Sequence, residues 1–451
     1  MKQFAVLTFV AALVAAPHAV RAQGVPDGFT FAAGGDMIGP YHAYPGPEDQ
    51  GFARVAALLR KADLGFANQE GSIFDLSTFA GWPAAENGGG YPLQPAAAAK
   101  DMKAMGLSLV SKANNHATDY GDEGLVATLD SLAAAGVAQG GAGMSEAQAR
   151  GPGYVQTPKG LAALVDTTST FPPMAAAGPP VVRRGQTTKP RPGISVLHVR
   201  EVRLVPAAQI AVLRAQAGDT YSKPGEARIG DQMFRASDTP GTVWEMAPAD
   251  ETAILGSVRE ARAKARFVLF SIHAHETAGD DDVPPPTDFE PMVLHKANEA
   301  PSPDNPTPAA FEPALFHAVI DAGADAVVRT GPHVLNGIEV YKGRPIFYGL
   351  GSLFYDFGGR RSYTTPAGEV MNFPDEWFET VIPVSTYRGG QVSEIRLYPM
   401  VLSADAPTTS GVPHPADPAR ARRILERLKA QSAAFGTTIA IEDGVGVIRN
   451  R

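Results

Sequence analysis

Phe267-Val268-Leu269-Phe270-Ser271-Ile272-His273-Ala274-His275-Glu276 is an apolar run of strand length that ends abruptly in two imidazoles and a carboxylate. Phe267 to Ile272 reads as a strand, and a helix expected near 250–264 leads into it. His273 and His275 are spaced i, i+2. In extended backbone they project to the same side, so one cation can take both.

The same pattern recurs outward along the chain. Phe29 to Ala33 reads as a strand ending in Gly34-Gly35, with Asp36 just after it. Leu64 to Ala67 is followed by Asn68 and Glu70, and Leu107 to Lys112 by Asn114, Asn115 and His116. Ala326 to Val328 is followed by Gly331-Pro332-His333. Leu161 to Val165 is a further strand. Phe52, Val55, Ala56, Leu58 and Leu59 have helical spacing, and Leu125, Leu129 and Leu132 mark a helix from about Glu123 to just before Gly136. Another helix is expected near 313–322. Beyond it the pattern turns β-rich: Ile338 to Tyr341, Pro345 to Leu350, Thr380 to Val384 and Val392 to Tyr398. A helix over 417–432 and two short strands close the chain. There is no internal repeat. Alternating β and α, then antiparallel strands, predict a layered α/β fold with a mixed sheet. Residues 171–193 read as a basic, Pro- and Gly-rich loop, and 200–240 as an insertion with one helix around Ile210 and Leu213. Residues 277–313, rich in Pro and Asp, read as a long loop.

In open α/β sheets, ligands bind beyond the carboxyl ends of the strands. Five segments here deliver carboxylate, amide and imidazole groups to such ends. Any one of them alone reads as a surface or turn residue; their recurrence after five strands reads as a site. Oxygen and nitrogen donors without sulfur suit Mn, Fe, Zn or Mg better than a soft metal. His116 lies three residues before Asp119, so a turn there would let the carboxylate orient the imidazole for proton transfer. The competing reading is that Asp119 to Asp122 simply opens the next helix with an acidic first turn.

Composition bounds the chemistry. The chain has 451 residues, 44% of them hydrophobic, which is enough apolar material for a sizeable core. Cys is 0, which excludes zinc ribbons, iron–sulfur clusters, thiol nucleophiles and disulfides. Lys+Arg 39 against Asp+Glu 47 gives a net charge of -8, which argues against nucleic acid as a partner. Lys2, the apolar stretch Phe4 to Ala16 and Val20-Arg21-Ala22 read as a signal peptide over residues 1–22, with Gln23 as the mature start. The alternative is a membrane anchor, for which the apolar run falls short of about 20 residues. The expected location is therefore periplasmic or extracellular.

Several stretches resemble the capsule synthesis protein CapA family, the poly-γ-glutamate synthesis family. They are Gly35-Asp36-Met37, Ala67-Asn68-Gln69-Glu70-Gly71, Ala113-Asn114-Asn115-His116-Ala117-Thr118-Asp119-Tyr120-Gly121 and Ser271-Ile272-His273-Ala274-His275-Glu276. Gly331-Pro332-His333-Val334-Leu335-Asn336-Gly337-Ile338-Glu339 and the segment from Tyr341 to Ser352 complete the match, which spans about residues 29–357. The resemblance implies a four-layer αββα sandwich of metallophosphoesterase type with mixed sheets. It implies Asp36, Glu70, Asn115, His273, His275 and His333 as ligands of one or two divalent metal ions. It also implies His116 as general acid, with Asp119 and Glu276 in the catalytic set. The sequence departs from the family pattern at Ile38, at Thr330, where members often carry a His, and at Ser352, where the segment usually ends in Asn. The loss at Thr330 bears on a second metal.

The implied organisation is a leader over 1–22, one domain over 23–402 with insertions about 171–245 and 277–313, and a C-terminal helix with short strands over 403–451 packed on it. The implied function is metal-dependent hydrolysis or transfer at γ-glutamyl amide bonds of an anionic polymer such as poly-γ-glutamate, alongside membrane-bound capsule synthesis machinery. A non-catalytic polymer-binding or export accessory and a metallophosphoesterase are the alternatives. Arg183, Arg184, Lys189 and Arg191, with Arg360 and Arg361, could form a cationic track for such a polymer or simply a solvated basic loop.

Overall fold

Five strands carry the polar groups: β1 (Thr30–Ile38), β2 (Leu64–Glu70), β3 (Leu109–Ser111), β4 (Phe267–His273) and β5 (Ala326–Thr330). The structure, a computed structural model, describes residues 24–39, 48–84, 92–230, 232–276, 307–356, 361–364, 370–402 and 411–450. The expected leader over 1–22, most of the 277–313 insertion and Arg360 lie outside the described residues. Among the described residues, no helix is long and apolar enough to cross a membrane.

The strands form two large mixed sheets. The 10-stranded sheet runs Ala440–Glu442, Val445–Arg449, Gln391–Leu402, Glu379–Arg388, β1, β2, β3, Ala138–Gly140, with Ser352–Tyr355 also paired to β1 and Pro413–Pro415 to Gln391–Leu402. The 6-stranded sheet runs Ile338–Tyr341, Arg344–Phe347, β5, β4, Gly160–Thr168, Gly153–Thr157. β1, β2 and β3 are parallel, β1 is antiparallel to Glu379–Arg388, and β4 is parallel to both of its neighbours.

Strand periodicity explains the layers. Successive side chains point to opposite faces, so a strand buried on both sides feeds two cores. Phe31, Phe66 and Leu109 share one core with Phe267, Leu269 and Val328 of the other sheet. Their neighbours Ala32, Ala67 and Val110 pack instead with the helices Gln50–Lys61, Ala98–Met105 and Gly121–Ala135. On the far side, Val268, Phe270, Ile272 and Val327 pack with Pro248–Lys264 and Phe311–Ala322. The order is therefore helix, sheet, sheet, helix. Aromatic rings join the two sheets: Phe267 lies 4.8 Å from Phe29, 5.2 Å from Phe31 and 5.5 Å from Tyr387 between centroids. Truncating a buried ring of this kind to alanine costs about 3–5 kcal/mol. The helix Pro418–Ala433, capped by Asp417, sends Ile424, Leu425 and Leu428 into the same inter-sheet core.

Strand ends differ from the expectation in one consistent way. β1 does not stop at Ala33 but runs through both glycines to Ile38, with a register shift between Ala33 and Asp36. The glycines are there for close approach: a Cβ on Gly35 would lie 1.8 Å from the Gly351 carbonyl oxygen. β2 likewise continues through Asn68 to Glu70. Asp36, Asn68 and Glu70 thus stand on rigid ladder positions, not in loops. The 200–240 insertion also holds more than one helix. Around Ala207–Ala217 it builds a 4-stranded sheet from Glu226–Ile229, Gln232–Ala236, Val199–Val205 and Gly241–Met246. These strands are half-exposed, so they lack the continuous apolar runs that mark the central strands.

Candidate metal centre

β1 and β2 are paired so that Asp36 stands opposite Asn68 and Ile38 opposite Glu70. This brings two carboxylates together in a place without solvent: Asp36 and Glu70 are buried. His273 ends β4 from the facing sheet, and one donor atom from each of Asp36, Glu70 and His273 lies within 4.8 Å of the others. Among the described residues, no lysine or arginine nitrogen is within ion-pair distance of either carboxylate; their ion-pair neighbours are histidines. Two like charges at such a separation repel by roughly 3–4 kcal/mol at an effective dielectric near 20. Burial, then the Asp36 charge, accordingly pushes the Glu70 carboxyl well above the usual range.

The amide of Asn68 organises the group. Its Nδ2 donates to Asp36 Oδ1 at 2.8 Å and also faces Glu70 Oε2 at 3.4 Å and His273 Nδ1 at 3.2 Å. Its Oδ1 accepts from Ser111 Oγ at 3.0 Å and from Asn114 Nδ2 at 3.2 Å. Asp36 also accepts from the Gly331 amide, at 3.1 Å to Oδ2.

The three expected histidine ligands converge. His273 Nε2 and His275 Nε2 face each other at 3.1 Å. Burial holds both rings well below the usual histidine range, so both are neutral and able to act as ligands. His333 Nδ1 lies 3.4 Å from Asp36 Oδ2, and its ring packs on Tyr355 and Trp377. Asn115 is half-buried next to His116 in sequence, its Oδ1 is a buried atom with no hydrogen-bond partner among the described residues, and no described contact joins it to the three histidines. Glu70 Oε1 and His275 Nδ1 are in the same condition.

His116 sits in a turn between β3 and the Gly121–Ala135 helix. The segment does turn, with Ala117 N donating to Asn114 O and Gly121 N to Thr118 O. His116 Nδ1 meets Asp119 Oδ2 at 2.8 Å, which leaves Nε2 3.9 Å from Glu70 Oε1. Buried groups hold the turn from two sides. Asp166, on the Gly160–Thr168 strand, accepts from the amides of Lys112 and Ala113 at 3.1 and 2.9 Å. The Lys112 ammonium donates to the carbonyls of Gly71 and Gln69, and burial brings it down to about 7.

Glu276 stands apart from the group. Its carboxylate accepts from Ser169 Oγ at 2.7 Å and faces Thr170 Oγ1 at 3.4 Å, and no described contact joins it to Asp36, Glu70 or the three histidines. Two of the departures from the family pattern touch histidine nitrogens: Thr330 Oγ1 is 3.2 Å from His273 Nδ1, and Ser352 Oγ is 3.2 Å from His333 Nδ1. Ile38 belongs to an apolar cluster with Tyr355, Phe378 and Leu402. The roles of Asn68, Asn114, Lys112 and Asp166 escaped the sequence reading. For Asn68 a signal existed, because it stands two residues before Glu70 and so shares its strand face.

The donor set fits a divalent cation. Asp36, Glu70 and His273 form one buried group of hard and borderline donors, with Glu70 Oε1 unpartnered among the described residues and His275 Nε2 3.1 Å from His273 Nε2. The family model of the bacterial capsule synthesis protein PGA_cap matches residues 30–302 and 301–356. The uncharacterized proteins y4uA and y4sH of Sinorhizobium fredii (strain NBRC 101917 / NGR234) are each 35% identical over 465 residues, covering 95% of this chain and 94% of the relative. The PGA biosynthesis protein CapA of Bacillus subtilis is 25% identical over 264 residues, covering 58% of this chain and 46% of that protein. A match over so much of the chain, with the site residues inside it, means that this protein belongs to the bacterial capsule synthesis PGA_cap family.

Proposed function

We propose that this chain is a metal-dependent hydrolase or transferase acting on γ-glutamyl amide bonds of an anionic capsule polymer such as poly-γ-glutamate, built on a metallophosphoesterase-type sandwich. Asp36, Glu70, Asn115, His273, His275 and His333 are its ligand set. The observation that carries the reading is the His116–Asp119 pair, joined at 2.8 Å and set 3.9 Å from Glu70 at the edge of a buried carboxylate–imidazole group.

A divalent cation at these ligands supplies Lewis-acid polarisation of the scissile carbonyl. His116 then does the proton work. Asp119 accepts the hydrogen bond of Nδ1–H and stabilises the imidazolium. Nε2 gives its proton to the amine nitrogen as its bond to the carbonyl carbon breaks, while water (hydrolysis) or an acceptor amine (transfer) bonds that carbon and gives up the proton that recharges the imidazole. Polymer contacts are expected from the exposed hairpin Val182–Arg183 and Gln186–Thr187, with Arg184 at its turn and Lys189 beyond it. Arg191 anchors that segment on the Met174 and Ala176 carbonyls and lies near enough to Asp122, on the first turn after the His116 segment, to oppose the rise that burial gives its carboxyl. Arg361 lies 3.5 Å over the Phe378 ring, within the aromatic group that includes the Tyr355 and Trp377 neighbours of His333. In this reading the leader over 1–22 sends the protein out of the cytoplasm, where it works beside membrane-bound capsule synthesis machinery.

The test is incubation of metal-loaded protein with poly-γ-glutamate, reading chain length. Shortening or transfer that His116→Ala abolishes while the cation stays bound supports the proposal. Unchanged chain length refutes it. Turnover of a generic phosphodiester, lost in Asp36→Ala, would mark the protein as a metallophosphoesterase instead.

A further inference from the structure

Arg329 is a fully buried arginine next to Thr330 at the end of β5, and the reading above gives it no role. Its guanidinium is shared between three backbone carbonyls and one carboxylate. Nε donates to the Ala274 carbonyl at 3.2 Å, Nη2 to the Glu276 carbonyl at 2.7 Å and Nη1 to the Tyr348 carbonyl at 3.3 Å. Two of these three acceptors flank His275 in the chain. The His275 amide itself donates to Thr170 Oγ1 at 3.0 Å, and the Ala274 amide to the Thr330 carbonyl at 2.9 Å. The backbone on both sides of His275 is therefore held, although β4 has already ended at His273.

The counter-charge comes from Glu312, on the first turn of the Phe311–Ala322 helix, with Oε1 2.8 Å from Arg329 Nε. Burial raises Glu312 to about 8 against the lowering by Arg329, so its neutralisation of the arginine is incomplete near neutral pH. A planar fork whose N–H groups reach three carbonyls in fixed directions is suited to clamping backbone.

We propose that Arg329 is a positioning residue that fixes His275 opposite His273 and so sets the affinity of the group for a divalent cation. This rests on the proposed metal centre. Arg329→Lys keeps the charge and loses the fork. Outer-shell partners of metal ligands typically set 10–100-fold of metal affinity. The variant is expected to bind Mn2+ or Zn2+ about 10–100-fold more weakly by calorimetry, and to lose nothing further in a His275→Ala background. In metal-free protein, amide exchange at residues 274–276 should rise. The double variant Arg329→Gln/Glu312→Gln removes both buried charges and leaves neither uncompensated; it should show the same loss of affinity and the same rise in exchange.

Unchanged affinity in both variants, or a loss that simply adds to that of His275→Ala, overturns the proposal and leaves Arg329 a purely structural residue whose removal lowers only the melting temperature. If wild-type protein binds neither cation, the metal reading fails. The exchange measurement then still decides whether Arg329 holds the 274–276 backbone.

Discussion

The two ends of the β4–β5 pair bury carboxylates in opposite ways. At the amino end, Asp325 precedes β5 and has two arginine partners and a backbone donor. Its Oδ2 lies 2.6 Å from Arg262 Nη1 and accepts from the Val268 amide at 2.9 Å, and Arg344 Nε stands 3.8 Å from Oδ1. At the carboxyl end, Asp36 and Glu70 meet His273 with no described lysine or arginine in ion-pair range, and Glu70 Oε1 has no hydrogen-bond partner among the described residues. The carboxylates at both ends are buried. The difference is that the fold supplies Asp325 with arginines at contact distance, whereas Asp36 and Glu70 have only histidines within ion-pair distance among the described residues. The first arrangement offsets part of the cost of burial; the second leaves two acids side by side that a bound cation would hold in their ionised form.

Substitutions at the two ends should therefore fail in different currencies. The largest effect is expected from Asp325→Ala, which leaves the half-buried Arg262 and the buried Val268 amide without their carboxylate partner. Removing one partner of a buried ion pair typically costs 3–5 kcal/mol, so denaturant unfolding should show about that loss with cation affinity unchanged. A loss below about 1 kcal/mol would break the contrast at its structural end. Asp36→Asn should do the reverse: about 100-fold weaker cation binding or worse, since a ligand must matter at least as much as its outer-shell supports, with no loss of metal-free stability.

Asp325 also predicts a pH dependence. Burial, against Arg262, raises it to about 6 from an ordinary value of 3.8. The native state then holds more protons than the unfolded state between these values, so this group's contribution to stability falls as pH rises from about 4 to 6 and levels off above. Unfolding curves of Asp325→Asn should lack that fall, a difference of about 2 kcal/mol across the window. The smallest effect is expected from Glu70→Gln: the raised Glu70 carboxyl already avoids most of the repulsion by holding its proton, so metal-free stability should rise by only about 1 kcal/mol in thermal unfolding. A drop instead would mean that the carboxylate has a structural partner.

Much of this was legible before the structure. Strands that end in Asp, Glu, Asn and His announce a strand-end site, and apolar runs such as Phe267 to Ile272 announce strands buried on both faces. What was not legible has physical reasons. Polar residues were read as strand terminators, yet Asp36, Asn68 and Glu70 continue their ladders because they satisfy one another across the pair. Asn68 and Arg329 act through contacts with residues more than thirty positions away, which no local pattern records. Glu276, adjacent in sequence to the histidines, is taken up by Ser169 and Thr170 instead. Sequence neighbourhood places a residue at the rim, but only the sheet register decides which groups share a centre.

The most direct test of the central claim is equilibrium binding of Mn2+ or Zn2+ to the purified full chain, wild type against Asp36→Ala and Glu70→Gln. The account predicts at least one tightly held divalent ion per chain in the wild type, lost or greatly weakened in both variants. A wild-type chain that holds no ion at micromolar concentrations, or variants that bind as well as it does, would contradict it.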